Sequence, residues 1–163
     1  MIPLKQRNRH DPANGIYGDC HRAAIASLLE MSLDQVPHFC DADAELPGAE
    51  PLMERERKWL AQRGLTNINV IYPGETSLED VLTTIDATTP GIMFILGGTS
   101  TTGCGHSVVG GCGKILHDPS LTNTREHSIV GPMKDGYWWI TFIGAAVARK
   151  QAYASRHLPE SVG

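Results

Sequence analysis

Three residues of this sequence have the types and the chain order that an acyl-transfer site needs: Cys20, His106 and Asp118. A thiol attacks carbonyl carbon as the thiolate. Cys20 follows Gly18-Asp19 and opens residues 20–31, where Ala23, Ala24, Ile25, Leu28 and Leu29 make one broad apolar face. That pattern predicts a helix with Asp19 as its N-cap. The first turn of a helix carries unpaired N–H groups and a partial positive charge. Both favour thiolate over thiol, and the same N–H groups can receive the oxyanion of a tetrahedral intermediate. Asp19 works in the opposite sense, because a neighbouring negative charge disfavours a thiolate. An isolated cysteine in such a place is usually inert core, so the reading depends on a histidine partner.

His106 supplies that partner. It opens an apolar strand after a Gly-rich run, and Asp118 closes the strand after it. With Gly111-Cys112-Gly113 as a three-residue hairpin loop, Gly110 pairs with Lys114, and successive pairs set Ser107 opposite His117 and His106 opposite Asp118. An aspartate there would orient the imidazole and stabilise its protonated form. His117 falls on the other face. A loop of two or four residues breaks this parity, so the pairing rests on register.

The segments Gly18-Asp-Cys-His-Arg-Ala-Ala-Ile-Ala-Ser-Leu-Leu29, Val36-Pro-His-Phe39, Gly105-His-Ser-Val-Val109 and Lys114-Ile-Leu-His-Asp-Pro119 resemble papain-like cysteine peptidases. The likeness is nearest to the small papain-like proteins of tailed bacteriophages, and looser to the peptidases that trim bacteriocin leaders. It covers about residues 10–40 and 90–120. The resemblance implies an α+β fold in which an N-terminal helix bearing the cysteine packs on an antiparallel sheet bearing the histidine and aspartate. It implies a peptidase or amidohydrolase with Cys20 as nucleophile, His106 as base and Asp118 as orienting acid. Such enzymes often place a glutamine six residues before the cysteine. Asn14 holds that position here. Its amide could donate to an oxyanion, although Asn14-Gly15 is also a turn signature.

Other chemistries fit less well. Cys104, His106, Cys112 and His117 match no common zinc spacing, and the two histidines lie on opposite faces in this register. The run 97–105 enters a strand, whereas a phosphate loop enters a helix through Gly-Lys-Ser/Thr; it is expected to border the cleft. Trp138 and Trp139 share a strand and face opposite ways, one toward core and one toward a cleft or the C-terminal tail. Peptide, isopeptide or related amide hydrolysis is the leading reaction. Transamidation or deamidation uses the same residues, and a catalytically silent binding protein keeps the fold without turnover.

The elements that must position these residues follow from periodicity and turn chemistry. Residues 8–19 are turn formers and read as irregular loop. Ser32-Leu-Asp-Gln35 is a capping box before a short helical turn stopped by Pro37, and a helix is expected at 51–63 with Gly64 just beyond its end. Strands are expected at 67–72, 91–96, 106–110, 114–118 and 137–143, with a helix between the first two capped by Thr76 and Glu79. Helices first and an antiparallel sheet after argue α+β. A chain of 163 residues reads as a single domain over 1–163. The net charge is −4, with no long basic run, so nucleic-acid binding is not expected. No apolar run reaches membrane-spanning length, and residues 1–10 lack the apolar core of an export signal. The expectation is a cytoplasmic protein, within the bacterial host if phage-encoded, whose four cysteines are free thiols. Its partner is a peptide or protein substrate, and no cofactor or metal is required.

Overall fold

The structure is a computed structural model that describes residues 1–41, 46, 48–121 and 128–147. Three helices, α1 (Cys20–Leu28), α2 (Leu52–Ala61) and α3 (Leu78–Thr88), accompany six strands: β1 (Leu65–Pro73), β2 (Phe94–Ser100), β3 (Gly105–Gly111), β4 (Lys114–His117), β5 (Ile129–Gly131) and β6 (Tyr137–Ala145). The strands form one antiparallel sheet in the order β1-β6-β2-β3-β4, with β5 pairing to β2 beyond that row. The class is α+β. No helix among the described residues is long and apolar enough to cross a membrane.

Two apolar layers sandwich the sheet, and alternation along β2 feeds both. Ile95 and Val109 face Ala24, Ile25, Trp59 and Leu60 of α1 and α2. Phe94, Leu96, Val108 and Ile140 face Val81, Leu82 and Ile85 of α3. A strand covered on both sides needs consecutive apolar residues, which is why Phe94-Ile-Leu96 shows no polar alternation. Trp138 joins the α3 layer, donating Nε1–H to the Thr76 carbonyl at 2.9 Å. Trp139 donates to Asp135 at 2.8 Å and lines the cleft described below.

The hairpin differs from the sequence expectation. Its loop has two residues, Cys112 (φ +50°) and Gly113 (φ +68°), and Gly111 pairs with Lys114. Both loop residues are left-handed, as a twisted two-residue hairpin turn requires. Gly110 then pairs with Ile115 but Val109 with His117, so Leu116 is an extra, bulged residue. The three-residue loop and its direct pairing of His106 with Asp118 are therefore not formed. The Gly-rich run is also shorter as a loop than expected, because β2 continues to Ser100 and β3 begins at Gly105. Gly98 lies within β2 because a Cβ there would sit 2.7 Å from the Gly131 carbonyl oxygen of the crossing β5.

Two helix caps are corrected as well. Ser77, not Thr76, caps α3, its Oγ accepting the Asp80 N–H at 3.1 Å. Asp19 precedes α1 without a side-chain cap bond. Its Oδ1 instead accepts the backbone N–H groups of Arg7 (2.8 Å) and Asn8 (2.7 Å). Residues 4–8 thereby form a strap across the molecule. Leu4 donates N–H to Ser27 Oγ (2.9 Å), its carbonyl accepts from His117 Nε2 (2.7 Å), and Gln6 donates N–H to the Pro119 carbonyl (2.8 Å). The expected C-terminal tail, 148–163, lies outside the described residues.

Candidate active site

Cys20 is the first residue of α1, so the unpaired N–H groups of the first helical turn surround it. The helix packs against β2 and β3 through the small side chains of Ala24 and Ala26. Near the start of β3 stands His106, only 8% exposed. Its Nε2 lies 2.8 Å from Asp118 Oδ1. The contact survives the altered register because Asp118 sits one residue past β4, after the bulge, and turns back toward the strand end.

Asp118 is held by more than the imidazole. Its Oδ1 also accepts the Ser120 N–H (2.8 Å), and Oδ2 accepts both the N–H (2.7 Å) and the hydroxyl (2.8 Å) of Ser128. Burial pushes this carboxyl upward, but the His106 bond and the two backbone N–H groups outweigh it and hold Asp118 far below the usual carboxylate range. For His106, burial disfavours the charge. Hydrogen bonds to Asp118 and Cys20, with their negative charges, prevail and raise the imidazole to about 9. With Nε2 committed to Asp118, Nδ1 is the nitrogen left for the Cys20 sulfur. An imidazolium beside a sulfur favours the thiolate that attacks carbonyls.

Cys20 and His106 open onto a cleft of about 1050 Å³ whose lining also includes Gln6, Met53, Ile95 and Trp139. Cys40 lines it too, but burial first, and then the neighbouring Cys20 charge, push its thiol up to about 12. That thiol therefore stays protonated at neutral pH. Among the described residues no three His, Cys, Asp or Glu side chains converge as metal ligands.

Asn14 lies elsewhere. It ends a 3₁₀ turn over Pro12–Asn14, is exposed, and donates Nδ2–H to Asp11 Oδ2 at 2.7 Å. It does not line the cleft. The turn reading of Asn14-Gly15 holds, with Gly15 at φ +69°. Sequence reasoning missed Gln6. This buried amide lines the cleft with Cys20 and gives one Nε2–H to the Asn8 carbonyl (2.9 Å), leaving the second for a ligand. Its position is set by the strap, through Pro119 on one side and Asp19 on the other. The available signal was a glutamine upstream of the turn-rich segment, which closes on itself through an Asp11–Ile16 bridge and so carries no spacing information. His117 is spent on Leu4 and is not a cleft residue. Comparison of the chain with protein-family models, with curated proteins and with solved structures finds no match.

Proposed function

We propose that the protein is a papain-like cysteine-nucleophile hydrolase that cleaves a peptide, isopeptide or related amide bond. One observation carries the reading: a buried His106 bonded through Nε2 to Asp118 at 2.8 Å, with Cys20 at a helix N-terminus as its other partner. Cys20 Sγ attacks the amide carbonyl carbon, and the oxyanion is met by first-turn N–H groups of α1 and the Gln6 amide. As the C–N bond breaks, His106 gives its proton to the leaving amine. Water then attacks the thioester with His106 as base, releasing the acid and restoring the thiolate. Asp118 keeps the imidazole in the required orientation and tautomer. The apolar cleft wall of Met53, Ile95 and Trp139 suits a peptide bearing an apolar side chain near the scissile bond.

The test is digestion of a proteome-derived peptide library, read by mass spectrometry, with wild-type protein and the Cys20→Ala variant. The expected result is a set of cleavages that vanishes in the variant, together with iodoacetamide labelling of Cys20 faster than that of Cys104 or Cys112. Cleavage absent from both proteins, or Cys20 labelling no faster than the other two, overturns the proposal.

A further inference from the structure

A second chain of polar side chains runs beside Cys20 and takes no part in the reaction above. His21, the next residue of α1, has Nδ1 3.2 Å from Ser107 Oγ on β3 and Nε2 2.7 Å from Glu56 Oε2 on α2. The other Glu56 oxygen accepts from Asn67 Nδ2 of β1 at 2.8 Å. Glu56 is completely buried, yet its carboxyl lies below the usual value. Burial pushes it up, and the His21 bond and charge with the Asn67 bond more than offset that. Burying a carboxylate is costly even when it is hydrogen-bonded, so apolar residues of similar volume would hold the fold as well. Four groups fixed this way inside a cleft wall are a functional-site candidate.

The order of groups repeats that of the first site, with the carboxylate at Nε2 of an imidazole and a nucleophile at Nδ1. While Glu56 accepts from Nε2–H, a neutral His21 has Nδ1 as an acceptor for the Ser107 hydroxyl proton. Ser107 and His21 both line the cleft. Gly97 pairs directly with Ser107 and therefore shares its face, but carries no side chain there. A Cβ at that position would press against Trp139 Cβ at 3.3 Å. Only hydrogen therefore projects beside the hydroxyl from Gly97, with Trp139 packed against that glycine. The first-turn N–H groups of α1 lie beside His21 as they do beside Cys20.

We propose that Ser107 is a second nucleophile of this cleft, with His21 as its base and Glu56 as the positioning residue, and that it takes carboxylic esters. Ser107 Oγ bonds to the ester carbonyl carbon while its proton passes to His21 Nδ1. The C–O bond to the alcohol breaks, and the alcohol leaves with that proton. Water, deprotonated by His21, then releases the acid and restores the hydroxyl.

The test uses the Cys20→Ala variant, in which no thiol competes, and an alkyl fluorophosphonate. In that reaction the Ser107 Oγ–P bond forms, the P–F bond breaks, fluoride departs and the proton goes through His21 to solvent. The expected result is an adduct mapped to Ser107, absent when Ser107→Ala is added, and formed about 10–100-fold more slowly when Glu56→Gln is added. The same pair of variants should show p-nitrophenyl acetate hydrolysis that disappears with Ser107→Ala. Glu56→Gln is also made with Cys20 present, and iodoacetamide labelling of Cys20 is followed. A positioning role at Ser107 leaves that labelling within about 3-fold of wild type. Equal slowing of both nucleophiles means that Glu56 only holds α1 in place, and overturns the proposal. So does a folded Cys20→Ala protein, judged by its thermal transition, that gives no Ser107 adduct. The missing adduct is read in a protein without Cys20, and the equal slowing through Glu56 alone, so both results leave the assignment of His106 and Asp118 to Cys20 standing.

Discussion

Replacing Asp118 with asparagine should disarm Cys20 through His106. The carboxylate accepts four hydrogen bonds, two at each oxygen. An asparagine amide has one oxygen, so its NH₂ must face either His106 and the Ser120 N–H, or the Ser128 N–H and hydroxyl. Leaving such donors without an acceptor costs about 1–3 kcal/mol of stability. The larger effect is on charge. His106 stands near 9 against an ordinary 6.5, and at 1.36 kcal/mol per pH unit that shift is worth about 3 kcal/mol in favour of the imidazolium. Without the carboxylate its hydrogen bond and charge are lost, burial is opposed by Cys20 alone, and the imidazole falls from about 9 toward its ordinary value. At pH 7.5 the wild-type imidazole is almost wholly charged, and the charged fraction should fall in the variant. Iodoacetamide alkylation of Cys20, mapped by mass spectrometry, should then slow about 10–100-fold at pH 7.5 and approach the wild-type rate above pH 9, where wild-type His106 is itself losing its proton. The thermal transition controls for folding. A folded variant that alkylates within about 3-fold of wild type at pH 7.5 would refute the assignment of His106 and Asp118.

Gln6→Ala should lower turnover about 10–100-fold while leaving Cys20 alkylation near wild type; Asn14→Ala should change neither, and peptide-cleavage rates beside alkylation rates distinguish the two. The pair also sets a pH dependence of stability. The folded pKa of His106 is raised, so its contribution is complete below about 6.5 and lost as pH rises through about 9. That of Asp118 is lowered, so its contribution is complete above about 4 and lost below it. Denaturant titrations should show stability falling between pH 6.5 and 9 in wild type, and a flatter profile in Asp118→Asn. Cys112→Asn should raise the stability by about 0.5–1 kcal/mol, measured by the same titrations, because a left-handed residue before Gly113 favours asparagine over cysteine.

Local signals and long-range contacts differed in how well the sequence disclosed them. The start of α1 at Cys20 is legible because a turn pair followed by an apolar face is a short-range pattern. The capping box of Ser32 and Gln35 is equally local, and forms. The hairpin is harder. His106 and Asp118 meet, but through a two-residue loop and a bulge at Leu116 rather than through uniform pairing. The two departures offset each other in side-chain parity, and no periodicity argument separates that case from a three-residue loop. β5 has three residues and no alternation to read. Gly97 and Gly98 looked like loop because glycine is a turn former. In the sheet they are glycines because other backbone and Trp139 approach them closely. Gln6 was invisible for the same reason that makes it interesting, since its place depends on Pro119 and Asp19 rather than on its neighbours.

The strap of residues 4–8 has a consequence for the order of assembly. Leu4 meets His117, and Lys5 meets the Asp118 carbonyl, across 113 residues of sequence. Contacts of such separation form late, since a long loop must close before they reward the chain. On a ribosome adding about 5–20 residues per second, β4 follows α1 by roughly 5–20 s. Throughout that interval the emerging chain carries the Cys20 helix with neither its imidazole nor the Gln6 amide in place. Cys20 meets His106 and Gln6 only once residues 4–8 are clasped by the end of β4 and the residues just after it. On the proposed role of Cys20, a chain in synthesis therefore passes through its most exposed stage without the groups that would activate the thiol.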